Sequence, residues 1–207
     1  MHIHHQNLVR TDLLRLRPTQ ITVGYAEVQA KRTAWALLAK PDRKRFLNSH
    51  WFPAVRGPSN NFYVVDHHHL GLALVQEGVT QGFVVQLNDF SQLSKDEFWT
   101  LMEHHQWIHP YDCEGKRLSP AALPKSLDRL ADDPYRSLAG AVRNAGGFPK
   151  DQTPFAEFLW ADFFRRRIKP AKLQREPDGA LEAALKLCHS KAAAHLPGWS
   201  GKATPAR

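Results

Sequence analysis

Residues 62–78, FYVVDHHHLGLALVQEG, hold the key to the fold. The apolar run from Phe62 to Val65 reads as a short buried strand. HLGLALVQEG reads as a helix closed by Gly78. Between them stand Asp66 and three consecutive histidines. A strand that feeds directly into a helix leaves the first helical N–H groups unpaired. Those donors and the helix dipole favour an anion, and phosphate is the usual guest. Asp66 is the expected N-cap, with His67, His68 and His69 placing imidazoles around whatever the amides hold. Two other readings stay open on these residues alone. One is a metal site joined by His104, His105 or His109, in which at most two of the consecutive histidines bind one ion. The other is a structural turn, with Asp66 capping and the histidines half-solvated.

Working outward, strands alternate with helices. Leu13 to Leu16 alternates like a strand and stops at Pro18. GYAEVQAKRTAWALLAK reads as a helix ending near Pro41, and PDRKRFLNSHW as a further short helix. PAVRGPSNN, with its Pro and Gly, reads as a loop. GFVVQL is a strand, and KDEFWTLMEHHQW is a helix with Phe98, Leu101 and Met102 toward the core. This order predicts an α/β-like or α+β domain over residues 1–110. Beyond it, DCEGKRLSPAALPKSLDRLADDP is polar, punctuated by Pro, and expected to be a surface connection. DPYRSLAGAVRNAGG, TPFAEFLWADFFRRRI and EPDGALEAALKLCHSKAAAHL then read as helices. In the second of these, Pro154 is expected in the first turn and Phe155, Phe158, Leu159 and Phe163 in the core. Residues 111–207 are thus expected to be a helical extension packed on the first domain.

The chain has 207 residues and a formal net charge of +8. Most of the excess lies after residue 110 and includes Arg165, Arg166, Arg167, Lys169 and Lys172. A basic surface suits an anionic partner such as nucleic acid or a phosphate ligand. No helix-turn-helix, zinc finger or aromatic RNA-binding signature accompanies it. No apolar run reaches the length of a membrane span, and MHIHHQNLVR lacks the apolar core of a signal peptide. Cys113 and Cys188 sit in no metal-binding spacing and read as free thiols, so a cytoplasmic setting is expected.

The strand, the polar block VVDHHHLGLAL and its Gly-closed helix resemble the strand–DGHHR–helix signature of the ParB-like/sulfiredoxin-like superfamily, in the branch that includes free serine kinases. LRPTQITVG, upstream, resembles the leucine–proline–glutamine segment of the same superfamily. The order of the PTQ segment, a helix bearing Glu and Lys, and the DHHH block is similar to the ParB-like nuclease group. The resemblance covers about residues 10 to 110. The later DDPYRSLAGAV and PFAEFLWADFFRRRI segments look like that group's C-terminal extension. It implies an N-terminal ParB/sulfiredoxin-like domain with a small mixed sheet, and a phosphate-bearing ligand at Asp66, His67 and His69, with Gln20 of the PTQ segment beside them. Three departures stand out. His67 replaces the usual motif glycine. Leu70 replaces the arginine that typically follows. Thr19 and Gln20 stand where the kinases carry a catalytic glutamate. With no cysteine in the block, sulfiredoxin chemistry is excluded.

The nearest carboxylate is Glu27, in the helix after the PTQ segment, with Lys31 four residues on along one face. Glu27 is expected as general base and Lys31 as a phosphate ligand; the bland alternative is a surface pair. His68 is the second expected catalytic group. Arg56 is expected to close over the anion from its loop. The leading expectation is a nucleotide-binding ParB-like protein, its nucleotide carried with Mg2+, performing phosphoryl transfer or phosphodiester cleavage. The alternatives are a non-enzymatic DNA-associated protein using the basic C-terminal surface and a divalent-metal hydrolase.

Overall fold

The computed structural model describes residues 8–201. Its contacts divide the chain into two units. The first runs to Asp112 and resumes over Lys116–Asp132, while the second comprises Cys113–Gly115 and the chain from Asp133 on.

The first unit contains strands β1 (Leu8–Asp12), β2 (Arg17–Pro18), β3 (Thr22–Val23), β4 (Phe52–Arg56), β5 (Phe62–Val64), β6 (Gln81–Asp89) and β7 (Ala131–Asp132). It also contains helices α1 (Tyr25–Ala36), α2 (Lys40–Ser49), α3 (His68–Gln76) and α4 (Lys95–His104). Five strands form one mixed sheet in the order β1-β6-β4-β5-β2, and β3 pairs with β7 in a separate two-stranded ladder. β4 runs parallel to β6 and antiparallel to β5, and β5 runs parallel to β2. With its helical C-terminal part the protein is α+β, as its alternating elements predict.

α3 is apolar nearly all round, as a helix enclosed by its neighbours must be. Leu70, Leu72, Ala73 and Leu74 are buried together with Leu13, Leu16, Val28, Trp35, Phe52 and Val64. Leu127 and Leu130 complete this core, which corrects the reading of their stretch as a surface connection. Lys116, Arg117, Lys125, Asp128 and Arg129 are exposed, while a short 3-10 turn over Leu127–Arg129 sends Leu127 inward. Gly71 permits the approach, since a Cβ there would lie 2.8 Å from Leu127 Cδ1. A second cluster gathers Val55, Phe98, Met102, Ile108 and Leu123. α4 opens with a capping box: Ser94 accepts from the Glu97 amide, and Glu97 accepts from the Ser94 amide.

Three other local readings change. The strand lies at Leu8–Asp12, and Leu13–Arg15 is a 3-10 turn because Asp12 accepts the Leu14 N–H at 2.9 Å. PAVRG is the end of β4 and not a loop, despite Pro53. The strand tolerates the missing N–H beside a register irregularity at Ala54/Val55, and the Pro53 carbonyl accepts the Val65 N–H at 2.9 Å. α1 ends at Ala36, short of Pro41, which stands in the first turn of α2 as the reading of PDRKRFLNSHW expects.

The second unit holds α5 (Pro134–Asn144), α6 (Ala156–Arg165), α7 (Pro170–Arg175) and α8 (Pro177–Cys188). Trp160, Phe163, Phe164, Leu138, Val142 and Ala184 lie in its core. Leu159 is 44% exposed, contrary to expectation, because Trp160 and Phe164 take the buried face. Pro154 precedes the helix, since Phe155 adopts a φ of 59° and serves as its N-cap. Asp133 caps α5 by accepting the Tyr135 N–H at 2.9 Å, and its other oxygen meets Arg165 at 2.5 Å. Arg165 also pairs with Asp162 and donates from Nε to the Cys113 carbonyl at 3.0 Å. These bonds tie Cys113–Gly115 into the second unit.

Candidate active site

The histidine block forms the turn between β5 and α3, but the cap is His67 and not Asp66. His67 has a φ of 65°, and Asp66 accepts the His67 N–H at 2.6 Å. Left-handed backbone costs a side-chain-bearing residue about 1 kcal/mol, which is why glycine suits this position in the related signature. The conformation is held by the ring: His67 Nδ1 lies 2.8 Å from the Trp51 carbonyl. A carbonyl only accepts, so Nδ1 carries a proton. Asp66 and His67 are both exposed.

His68 turns inward and is 3% exposed. The Thr19 N–H donates to His68 Nε2 at 3.2 Å, and Thr19 Oγ1 donates to the Val64 carbonyl at 2.8 Å. Burial pushes the imidazole down to about 4, against smaller upward contributions from Asp66 and the Val64 carbonyl. His68 is therefore neutral at pH 7, and it clamps the PTQ segment to the turn. With its lone pair taken by Thr19, it is placed as a positioning residue.

His69 points the other way, toward α1. Its Nε2 lies 3.0 Å from Glu27 Oε2, with the two side chains 13% and 19% exposed. The Gly24 N–H reaches the same nitrogen at 3.0 Å. One ring nitrogen cannot serve both neighbours. Its lone pair accepts from Gly24, or its proton goes to Glu27. The imidazole and the carboxylate thus stand within proton-transfer distance of each other, beside the first turns of two helices. Gly24 is the α1 N-cap and brings no side chain; Asp132 of β7 supplies the cap, accepting the Tyr25 N–H at 2.8 Å. This contribution from more than a hundred residues away carries no local sequence signal.

The remaining expected site residues are placed as follows. Gln20 is 7% exposed and donates from Nε2 to the Thr22 carbonyl at 2.8 Å, so it shapes the PTQ bend from within. Lys31 is exposed one turn beyond Glu27 on α1. Arg56 pairs in register with Phe62, at the opposite end of β5 from the histidine turn, and lies 3.9 Å from Asp89. The structure thus brings Glu27, Asp66, His67 and His69 to the α1 and α3 N-termini and leaves Arg56 outside the group. His105 stacks on Trp107 with centroids 4.3 Å apart, and His109 stacks on Tyr111 at 4.5 Å. Among the described residues, no group of three or more His, Cys, Asp or Glu side chains is placed to hold a metal ion. Of the arginine triplet, Arg165 is committed to Asp133 and Asp162, and Arg167 lies 3.8 Å above the Phe163 ring. Among the described residues, no helix is long and apolar enough to cross a membrane.

A small mixed sheet with a strand–DHHH–helix turn, followed by a helical extension, defines a ParB-like protein. The family model described as "Putative ParB-like nuclease" matches residues 9–166. The chain belongs to that family. Its structure is similar to the crystal structure of protein Atu1540 from Agrobacterium tumefaciens, with 47% sequence identity and a TM-score of 0.87. The match covers 94% of this chain and 98% of the other. Comparison with curated proteins finds no match.

Proposed function

We propose that the α1–α3 junction binds the phosphate of a nucleotide and cleaves a phosphodiester bond, with Glu27 as general base. The 3.0 Å contact between Glu27 Oε2 and His69 Nε2 carries this reading. The α3 amides and His67 face the anion. A water oxygen attacks phosphorus and gives its proton to Glu27. The new P–O bond forms as the bond to the leaving oxygen breaks, and solvent protonates that oxygen. His69 Nε2, 3.0 Å from Glu27 Oε2, then takes the acquired proton on from the carboxylate, which returns Glu27 to its basic form for the next turnover. Asp66, an exposed carboxylate at the turn, is the residue that would hold a Mg2+ ion arriving with the phosphates, where the metal supplies charge neutralisation.

Binding is tested by thermal shift with nucleoside triphosphates and dinucleotides in the presence of Mg2+. A ligand at a hundred times its Kd stabilises by about 2.7 kcal/mol. The expected result is a concentration-dependent rise in Tm that persists in Glu27→Gln. Absence of any shift with every phosphate ligand would overturn the proposal.

A further inference from the structure

The cleft between α2 and the outer strands shares no residue with the Glu27–His69 site. It has a volume of about 260 Å³ and is lined by Arg10, Lys44, Leu47, Asn48, Gln81, Gly82 and Phe83. We infer that this cleft binds the phosphate backbone of a single nucleic-acid strand, with Phe83 offering its ring to an unpaired base.

Charge is the first argument. Two cations and two amides line the cleft, and no carboxylate does. The acidic residues nearest in sequence are already engaged: Asp12 accepts the Leu14 N–H at 2.9 Å, and Asp42 pairs with Arg45 at 3.1 Å. The lining itself therefore offers an anion two positive charges, with Asp12 beside it across the ladder from Gln81.

Geometry is the second. Lys44 and Asn48 are one turn apart on α2, and the exposed Lys40 lies one turn before Lys44. Four helical residues rise about 6 Å, close to two steps of the roughly 3.4 Å that separate successive phosphates of one strand along a duplex axis. Opposite them, Arg10 sits on β1, the outermost strand of the sheet, directly across the ladder from Phe83. A cation on each wall, with an aromatic ring beside Arg10, matches the way a single strand is held, through backbone charge and base stacking.

This cleft is a second basic surface beside the one that the charge distribution suggested. In the C-terminal half Arg165 pairs with Asp133 and Asp162, while Arg166, Lys169 and Lys172 are exposed.

The test is fluorescence anisotropy with an end-labelled oligothymidylate, in EDTA so that no turnover contributes. Wild-type protein is expected to bind the single strand more tightly than a duplex of equal length. In the Arg10→Ala/Lys44→Ala variant, the slope of log K against log salt is expected to fall by about 1.4, at roughly 0.7 per lost phosphate contact. Arg166→Ala should leave it unchanged, and circular dichroism should show both variants folded. The inference is overturned if wild type does not bind, if the double variant keeps the wild-type slope, or if the duplex is preferred. It is also overturned if a few millimolar inorganic phosphate at constant ionic strength displaces the strand, since the cleft would then be a small-anion site. None of these results depends on Glu27, so failure here is distinguishable from failure of the cleavage proposal.

Discussion

Acidification should weaken this protein through His68, and the size of the effect follows from its burial. The imidazole is 3% exposed and titrates at about 4, against 6.5 for a free histidine. Above pH 6.5 both folded and unfolded states hold it neutral, so it adds no pH dependence. As pH falls through 6.5 the unfolded chain takes up a proton that the native state refuses, and stability declines until about pH 4, where the native ring protonates too. Between pH 7 and 4.5 this shift corresponds to roughly 2–3 kcal/mol lost. Urea unfolding of wild type and His68→Gln across that range isolates the term, since other titrating groups cancel in the difference. The stability advantage of wild type over the variant should shrink by roughly 2–3 kcal/mol on acidification. A difference that stays flat, or an NMR titration of the His68 ring near pH 6.5, would refute the assignment of a buried neutral clamp.

Other perturbations probe the packing. Gly57→Ala places a Cβ 2.7 Å from ring atoms of both Tyr63 and Phe98, so thermal melting should show a loss of about 1–3 kcal/mol from overpacking. Arg165→Met leaves the Asp133 carboxylate, with a side chain only 2% exposed, without its guanidinium, and chemical denaturation should report about 3–5 kcal/mol lost. Burial pushes the Cys188 thiol up to about 12, whereas Cys113 is exposed. A thiol reagent at neutral pH should therefore modify one cysteine in the native protein and the second only after unfolding.

The strand–turn–helix core was legible because its signals are local: the apolar run of β5, the polar block and the Gly closing α3. Features set by distant contacts were not. Leu127 and Leu130 lie in a polar, proline-punctuated stretch, and only the groove left by Gly71 shows that one of them is needed inside. Pro53 reads as a breaker, yet a register irregularity lets it sit in a central strand. At the site, sequence spacing drew Glu27 toward Lys31 four residues on, while folding brings it to His69 instead. The three histidines look equivalent in the sequence. Their successive directions on the turn send His67 to the Trp51 carbonyl, His68 into the core and His69 to α1. Asp132, which caps α1, gave no signal near the helix it completes.

The central claim is tested most directly by the single-turnover cleavage rate of an end-labelled oligonucleotide with Mg2+, measured for wild type, Glu27→Gln and His69→Gln. The account predicts cleavage by wild type and a loss of about 10²–10⁴-fold in Glu27→Gln, the usual worth of a general base. His69→Gln should slow repeated turnover and shift its pH dependence. Wild-type protein that leaves the strand intact, or a Glu27→Gln variant that cleaves as fast as wild type, would contradict it.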